Sequence, residues 1–250
     1  MCGVDRRAGK IGACRTGCKA MVASFCIHRG EEPCISGSRG SGTVFFAGCN
    51  LACIYCQNYE ISQEWEEGKE ELSPELLAET YLELESLGAH NINWVSPGHV
   101  VPHAVEALYI AAQRGLSIPV VYNSNGYDSL ETLRLLEGIV DIYMPDLKYF
   151  SDAAAEELSQ ARDYGEHSRS AVKEMWRQVG RLETDEDGVA SKGLLVRHLV
   201  LPGGMSQSAE VLRFIAKEIS PEVSVSLMAQ YYPVHLAEMN GRIARPLRPG

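Results

Sequence analysis

The chain has 250 residues, 45% of them hydrophobic, and a formal net charge of −10 at pH 7. That acid excess argues against a nucleic-acid binder, for which a basic patch is expected. No uninterrupted apolar run approaches the roughly 20 residues that span a bilayer. Length and composition suit one large α/β domain. Eight cysteines, with no apolar leader in residues 1–7, suggest metal and thiol chemistry in the cytoplasm rather than a disulfide framework.

Residues 1–40 are rich in Gly, Cys, Arg and Ser without sustained periodicity, which predicts an irregular Cys-rich N-terminal extension. Beyond them, short β-rich runs alternate with helical patterns. Strands are predicted over 43–47, 92–95, 118–122, 140–144, 194–201 and 223–227. Helices are predicted over 74–87, 102–114, 130–137, 152–161, near 170–179 and over 209–219. Ser73 is a natural N-cap with Pro74 at the first helical position, and Gly88 stops that helix. The acidic stretch 60–75 reads as a solvated loop and helix start. Six βα units imply parallel pairing with right-handed crossovers, hence a partial (βα)6 TIM-type barrel over 41–238. An open doubly wound sheet is the alternative. Residues 239–250 read as a basic, proline-interrupted mobile tail.

The first strand runs directly into Cys49-Asn50-Leu51-Ala52-Cys53-Ile54-Tyr55-Cys56, a C-x3-C-x2-C run. A [4Fe–4S] cube is normally held by four thiolates, so three from one loop leave the fourth iron open to an exogenous ligand. A zinc knuckle would usually bring a fourth Cys or His at short range, and the nearest histidines, His28 and His90, are distant in sequence. Three unrelated core thiols are the plainest alternative. Polar, Gly and Pro residues also collect at the predicted strand ends: Ser96-Pro97-Gly98-His99, Asn123-Ser124-Asn125-Gly126, Pro145-Asp146-Leu147-Lys148, Pro202-Gly203-Gly204 and the run from Gln230 to His235. Ligands gather at that edge of a parallel barrel, although the same residue types dominate ordinary turns.

The cysteine loop resembles that of the radical S-adenosylmethionine enzymes, with Tyr55 as the aromatic before the third cysteine. Gly42-Thr43-Val44-Phe45-Phe46, residues 49–58 and residues 141–148 resemble the pyruvate formate-lyase-activating-enzyme-like branch of that family. Segments 175–180 and 196–203 fit an uncharacterised subgroup of the same branch. The resemblance implies a [4Fe–4S] cluster on Cys49, Cys53 and Cys56, and S-adenosyl-L-methionine cleaved reductively to a 5′-deoxyadenosyl radical that abstracts hydrogen. It implies Asp146 and Lys148 at the methionine end of the cofactor, Arg197 and His235 as further contacts, and Tyr55 beside the adenine. Ser96 stands where the family has Gly-Gly-Glu, and Asn123 where activating enzymes often carry an aspartate that helps hold a monovalent cation. The partners implied are an electron donor such as flavodoxin or ferredoxin, and as substrate either a glycyl-radical enzyme or a small molecule, with no nucleic acid and no membrane.

Cys2, Cys14, Cys18, Cys26 and Cys34 are either free or structural thiols or ligands of a second zinc or iron–sulfur site, with Cys14-Arg15-Thr16-Gly17-Cys18 a tolerable ligand pair. A different class of function is a non-catalytic iron–sulfur protein for electron transfer or cluster carriage. It would close the fourth iron with a protein ligand and would not need Asp146, Lys148 and Arg197 near the cluster.

Overall fold

The computed structural model describes residues 3–64 and 71–247. Its sheet carries six parallel strands, β2 (Ser41–Phe46), β4 (Ile92–Val95), β5 (Val120–Ser124), β6 (Ile142–Pro145), β8 (Ala190–Leu199) and β9 (Ser224–Met228). These are the six strands expected, each within a few residues of its predicted bounds. Three more are antiparallel: β1 (Ala20–His28) on β2, β3 (Glu71–Leu72) on β1 and β7 (Glu183–Thr184) on β8. No ladder among the described residues joins β9 to β1, so the sheet curls as a partial barrel and stays open.

The central strands are apolar on both faces because each faces helices outside and the barrel interior inside. Successive side chains alternate between the two. From β4, Ile92 and Trp94 point outward, joining Leu77, Tyr81 and Leu84 of α3 (Pro74–Ser86) and Ala104 and Ala107 of α4 (Val101–Gln113). Val121, Ile142, Met144 and Leu195 point inward and form a separate apolar floor. Ser73 caps α3 by accepting from Leu76 N–H, as its sequence predicts. The remaining crossovers are α5 (Leu130–Leu135), α6 (Asp152–Ser159), α7 (Tyr164–Val179) and α8 (Ser208–Phe214), the last continued by a wider turn over Ile215–Ile219.

Two expectations change. The N-terminal 40 residues are not irregular throughout: β1 pairs with β2 over most of its length, and the hairpin turn carries α1 (Pro33–Ser36) into the lower end of the barrel. Ile35 is fully buried there and its carbonyl accepts from the Asn91 side chain at 2.8 Å. β1 escapes sequence analysis because, past the two residues that pair with β3, its middle residues are exposed and its apolar residues follow no period of two. The C-terminal segment is also anchored. Ile243 is fully buried, its carbonyl accepts from Tyr231 Oη at 2.8 Å, and Arg242 pairs with Glu157 at 2.9 Å. Cys2, residues 65–70 of the acidic stretch and the last three positions of the tail lie outside the described residues. Among the described residues no helix is long and apolar enough to cross a membrane.

Candidate active site

The cysteine loop leaves the upper end of β2 and is fastened at several points. Gly48 adopts φ 84, and a Cβ there would lie 2.3 Å from the Cys14 carbonyl, so only glycine lets the N-terminal segment pass this close. Ala52 and Ile54 donate backbone hydrogen bonds to the carbonyls of Ser159 and Leu158 at the end of α6, and the Gln63 side chain donates to the Cys53 carbonyl. Each sulfur has a polar neighbour. Asn125 Nδ2 and Leu51 N–H donate to Cys49 Sγ at 3.3 and 3.5 Å, Ser159 Oγ donates to Cys53 Sγ at 3.0 Å, and Cys56 Sγ lies 3.3 Å from Ser62 Oγ. Burial pushes the Cys53 thiol up to about 12, while the Lys148 ammonium nearby pulls the other way.

Inside the barrel, above the apolar floor, the strands place a connected polar layer. Asp146, at the end of β6, accepts from Lys148 Nζ at 2.6 Å and from Arg197 Nε at 2.9 Å. Arg197, on β8, also reaches Asn123 Oδ1 on β5 at 2.8 Å and Glu31 Oε1 at 3.0 Å. Glu31 Oε2 accepts from Asn123 Nδ2 at 3.1 Å and, more weakly, from Asn93 Nδ2 at 3.4 Å. Burial alone would raise the Asp146 carboxyl, but Arg197 and Lys148 override it and hold the acid below the usual carboxylate range. The Lys148 ammonium is raised in turn: burial lowers it, and the Asp146 charge more than offsets that. Tyr164 ties the ends of β5 and β6 together, its hydroxyl 2.9 Å from the carbonyls of Asn125 and Asp146 while accepting Lys148 N–H at 2.9 Å.

Comparison with known proteins decides the family. The sequence profile of the radical SAM superfamily matches residues 43–204, which span every strand from β2 through β8. The chain belongs to the radical SAM superfamily. It is 30% identical over 253 residues to the uncharacterized protein MJ0674 of Methanocaldococcus jannaschii, covering 98% of this chain and 68% of that one. Its fold is similar to the crystal structure of HydG, a maturase of the [FeFe]-hydrogenase, with a TM-score of 0.52 at 14% identity. That match covers 82% of this chain and 45% of HydG.

Radical SAM membership implies a [4Fe–4S] cluster and S-adenosylmethionine, and the donor set fits both. Three thiols rise from one loop with hydrogen-bond donors aimed at Cys49 and Cys53, as suits thiolate ligands. The Lys148 ammonium acts on the Cys49 and Cys53 thiols and, among the described residues, pairs with one carboxylate, Asp146. Among the described residues no three His, Cys, Asp or Glu side chains close into one ion-binding group, and that holds for this loop as for the N-terminal thiols. Of the latter, Cys14 is buried between Arg6 and Thr16, Cys18 is exposed, and Cys26 and Cys34 lie on β1 and α1.

Asp146, Lys148, Arg197 and Asn123 join in one hydrogen-bonded layer, and Ser96, Tyr55 and His235 make other contacts. Ser96 ends β4 in a left-handed conformation (φ 56), its N–H donating to the Asn123 carbonyl, which turns the following residues out of the strand. Tyr55 is 6% exposed, its hydroxyl 2.5 Å from Tyr149 Oη and its ring edge-on to Tyr149 and Tyr231. His235 stacks on Tyr59 with centroids 4.5 Å apart, and its Nδ1 lies 3.6 Å from the Glu64 carboxylate. Sequence analysis missed Glu31 and Ser159, and it named Asn125 only as part of a strand-end run. Glu31 stands in an aperiodic turn and Ser159 closes α6, so no spacing rule ties either to the site.

His99 lies in the turn that follows β4 and is buried. Its Nε2 lies 2.8 Å from the Ala47 carbonyl, and its own carbonyl accepts from Arg6. Burial lowers the imidazole to about 4, so it is neutral at pH 7. Because the unfolded chain takes up this proton near pH 6.5 and the folded chain does not, stability falls with pH across that window. Between pH 7 and pH 4.5 the loss from this one group is about 2 kcal/mol. Urea unfolding of His99→Gln at the two pH values is expected to show a pH dependence smaller by that amount.

Proposed function

We propose that this radical SAM enzyme acts on a polypeptide, abstracting hydrogen from a glycine Cα of a glycyl-radical enzyme. When bound, the cluster and S-adenosylmethionine supply the one-electron cleavage that produces the hydrogen-abstracting 5′-deoxyadenosyl radical. Cys49, Cys53 and Cys56 would hold the cluster. Lys148 would meet the cofactor carboxylate, with Asp146 fixing the ammonium in place. The Ser96 hydroxyl and neighbouring carbonyls would accept from the cofactor ammonium in place of the missing glutamate. Tyr55, Tyr149 and Tyr231 would wall the loop from water.

The observation that carries the polypeptide reading is the rim beyond β9. Tyr232, Leu236 and Met239, on the segment that follows β9, are 61%, 42% and 77% exposed, apolar surface that suits contact with a protein. Reduced, cluster-loaded enzyme mixed with S-adenosylmethionine and a candidate glycyl-radical enzyme is expected to generate a glycyl-radical doublet in electron paramagnetic resonance. 5′-Deoxyadenosine formed without any such signal, with its new hydrogen traced to a small molecule, would overturn it. The electron donor would be a flavodoxin or ferredoxin.

A further inference from the structure

The geometry points to Glu31 as a positioning residue for the cofactor site, a role that rests on the cluster loop and Lys148 acting as described above. Glu31 does not belong to any barrel strand. It arrives on the turn of the β1–β2 hairpin, 166 positions before the arginine it holds. Its carboxylate and Asp146 share one guanidinium: Nη1 of Arg197 goes to Glu31, Nε and Nη2 to Asp146, and Nη2 also to Asn123. A guanidinium has five N–H groups, and these contacts engage it on every nitrogen. Arg197 is therefore held within the protein, and the cation left for an incoming anion is Lys148, which among the described residues forms an ion pair only with Asp146.

Charge and reach give Glu31 its effect. The four ionised side chains, Glu31, Asp146, Lys148 and Arg197, are each 18% exposed or less and balance two against two. With Glu31 neutral, Arg197 keeps Asp146 as its ion-pair partner among the described residues, with Glu32 acting on it only at longer range. Asp146 already bonds both cations, and a guanidinium no longer held by Glu31 draws harder on that carboxylate, so Lys148 loses its fixed direction toward the cysteine loop. Partners one step removed from a ligand commonly change affinity 10- to 100-fold. Asn93 marks the same layer as unfinished: it is fully buried, and its Oδ1 has no hydrogen-bond partner.

The test is a titration of S-adenosylmethionine into the anaerobically reduced, cluster-loaded chain, read from the change in the [4Fe–4S]⁺ resonance. Glu31→Gln keeps the shape and removes the charge. It is expected to need at least ten-fold more S-adenosylmethionine for the half-change, with iron per chain unaltered. Glu31→Asp, which keeps the charge on a shorter arm, is expected to recover part of that affinity and serves as the deciding variant if Glu31→Gln does not fold. Glu32→Gln, one residue along the same turn and acting on Arg197 without a hydrogen bond to it, is expected to weaken binding far less than Glu31→Gln. Glu31 variants that bind normally while only their melting temperature falls would overturn the inference, as would equal weakening by Glu32→Gln. An unmodified chain that does not respond to S-adenosylmethionine would instead remove the functional reading on which the inference stands.

Discussion

Cys53→Ala is expected to take reconstituted iron from about four per chain toward zero and 5′-deoxyadenosine formation to the assay background. Cys53 is the middle thiol of the loop, 8% exposed, and its sulfur is the one to which Ser159 donates. The substitution removes a ligand without disturbing what fastens the loop, because Ala52 and Ile54 are held through their backbone N–H groups. A folded protein that no longer retains iron separates ligation from folding. Ser159→Ala, which removes only the hydrogen bond, is expected to retain iron and act on cluster properties instead. Iron analysis and product chromatography on both variants check this, and a Cys53→Ala protein with full iron content would count against the assignment of this thiol.

Asp146→Ala is expected to cost about 3–5 kcal/mol of stability, the usual consequence of stripping one member from a buried ion network. Asp146 neutralises Lys148 and Arg197, whose side chains are 18% and 16% exposed, so its removal leaves an excess of buried positive charge. The same carboxylate carries a pH dependence of known sign. Its folded-state acid strength is above that of an ordinary carboxyl, so its contribution is complete above about pH 4, the ordinary aspartate range, and fades as the pH falls below it. Urea unfolding at pH 7 reads the first effect, and acid titration of the two proteins below pH 4 reads the second. Asp146→Ala unfolding at the same urea concentration as the parent would contradict the account. Loss of S-adenosylmethionine binding should accompany the loss of stability, since Lys148 would no longer be oriented.

What the sequence disclosed follows from which interactions are local. β4, β5 and β6 were legible because each is a short, buried run between turn signals, and α3 because Ser73, Pro74 and Gly88 punctuate it. The cysteine loop was legible because its chemistry depends on spacing within a few residues, whereas the Asp146–Lys148 pair was named only through the family resemblance. β1 was not, because a strand exposed along its middle loses the alternation that a half-buried strand shows. Glu31 was invisible for a related reason: its partners Arg197, Asn123 and Asn93 come from three different strands, and only the closing of the hairpin turn against the barrel brings them together. Ile243 shows the same limit from the other end of the chain, a single buried residue in a segment whose composition reads as solvated.

The radical SAM assignment of this chain's chemistry is tested most directly by anaerobic electron paramagnetic resonance of the reduced, cluster-reconstituted protein with and without S-adenosylmethionine. The account predicts a [4Fe–4S]⁺ signal that changes when S-adenosylmethionine is added, because three thiolates leave one iron open to it. An intact cluster whose signal is unchanged by S-adenosylmethionine would contradict that, and would favour a cluster closed by the protein and used for electron transfer or carriage.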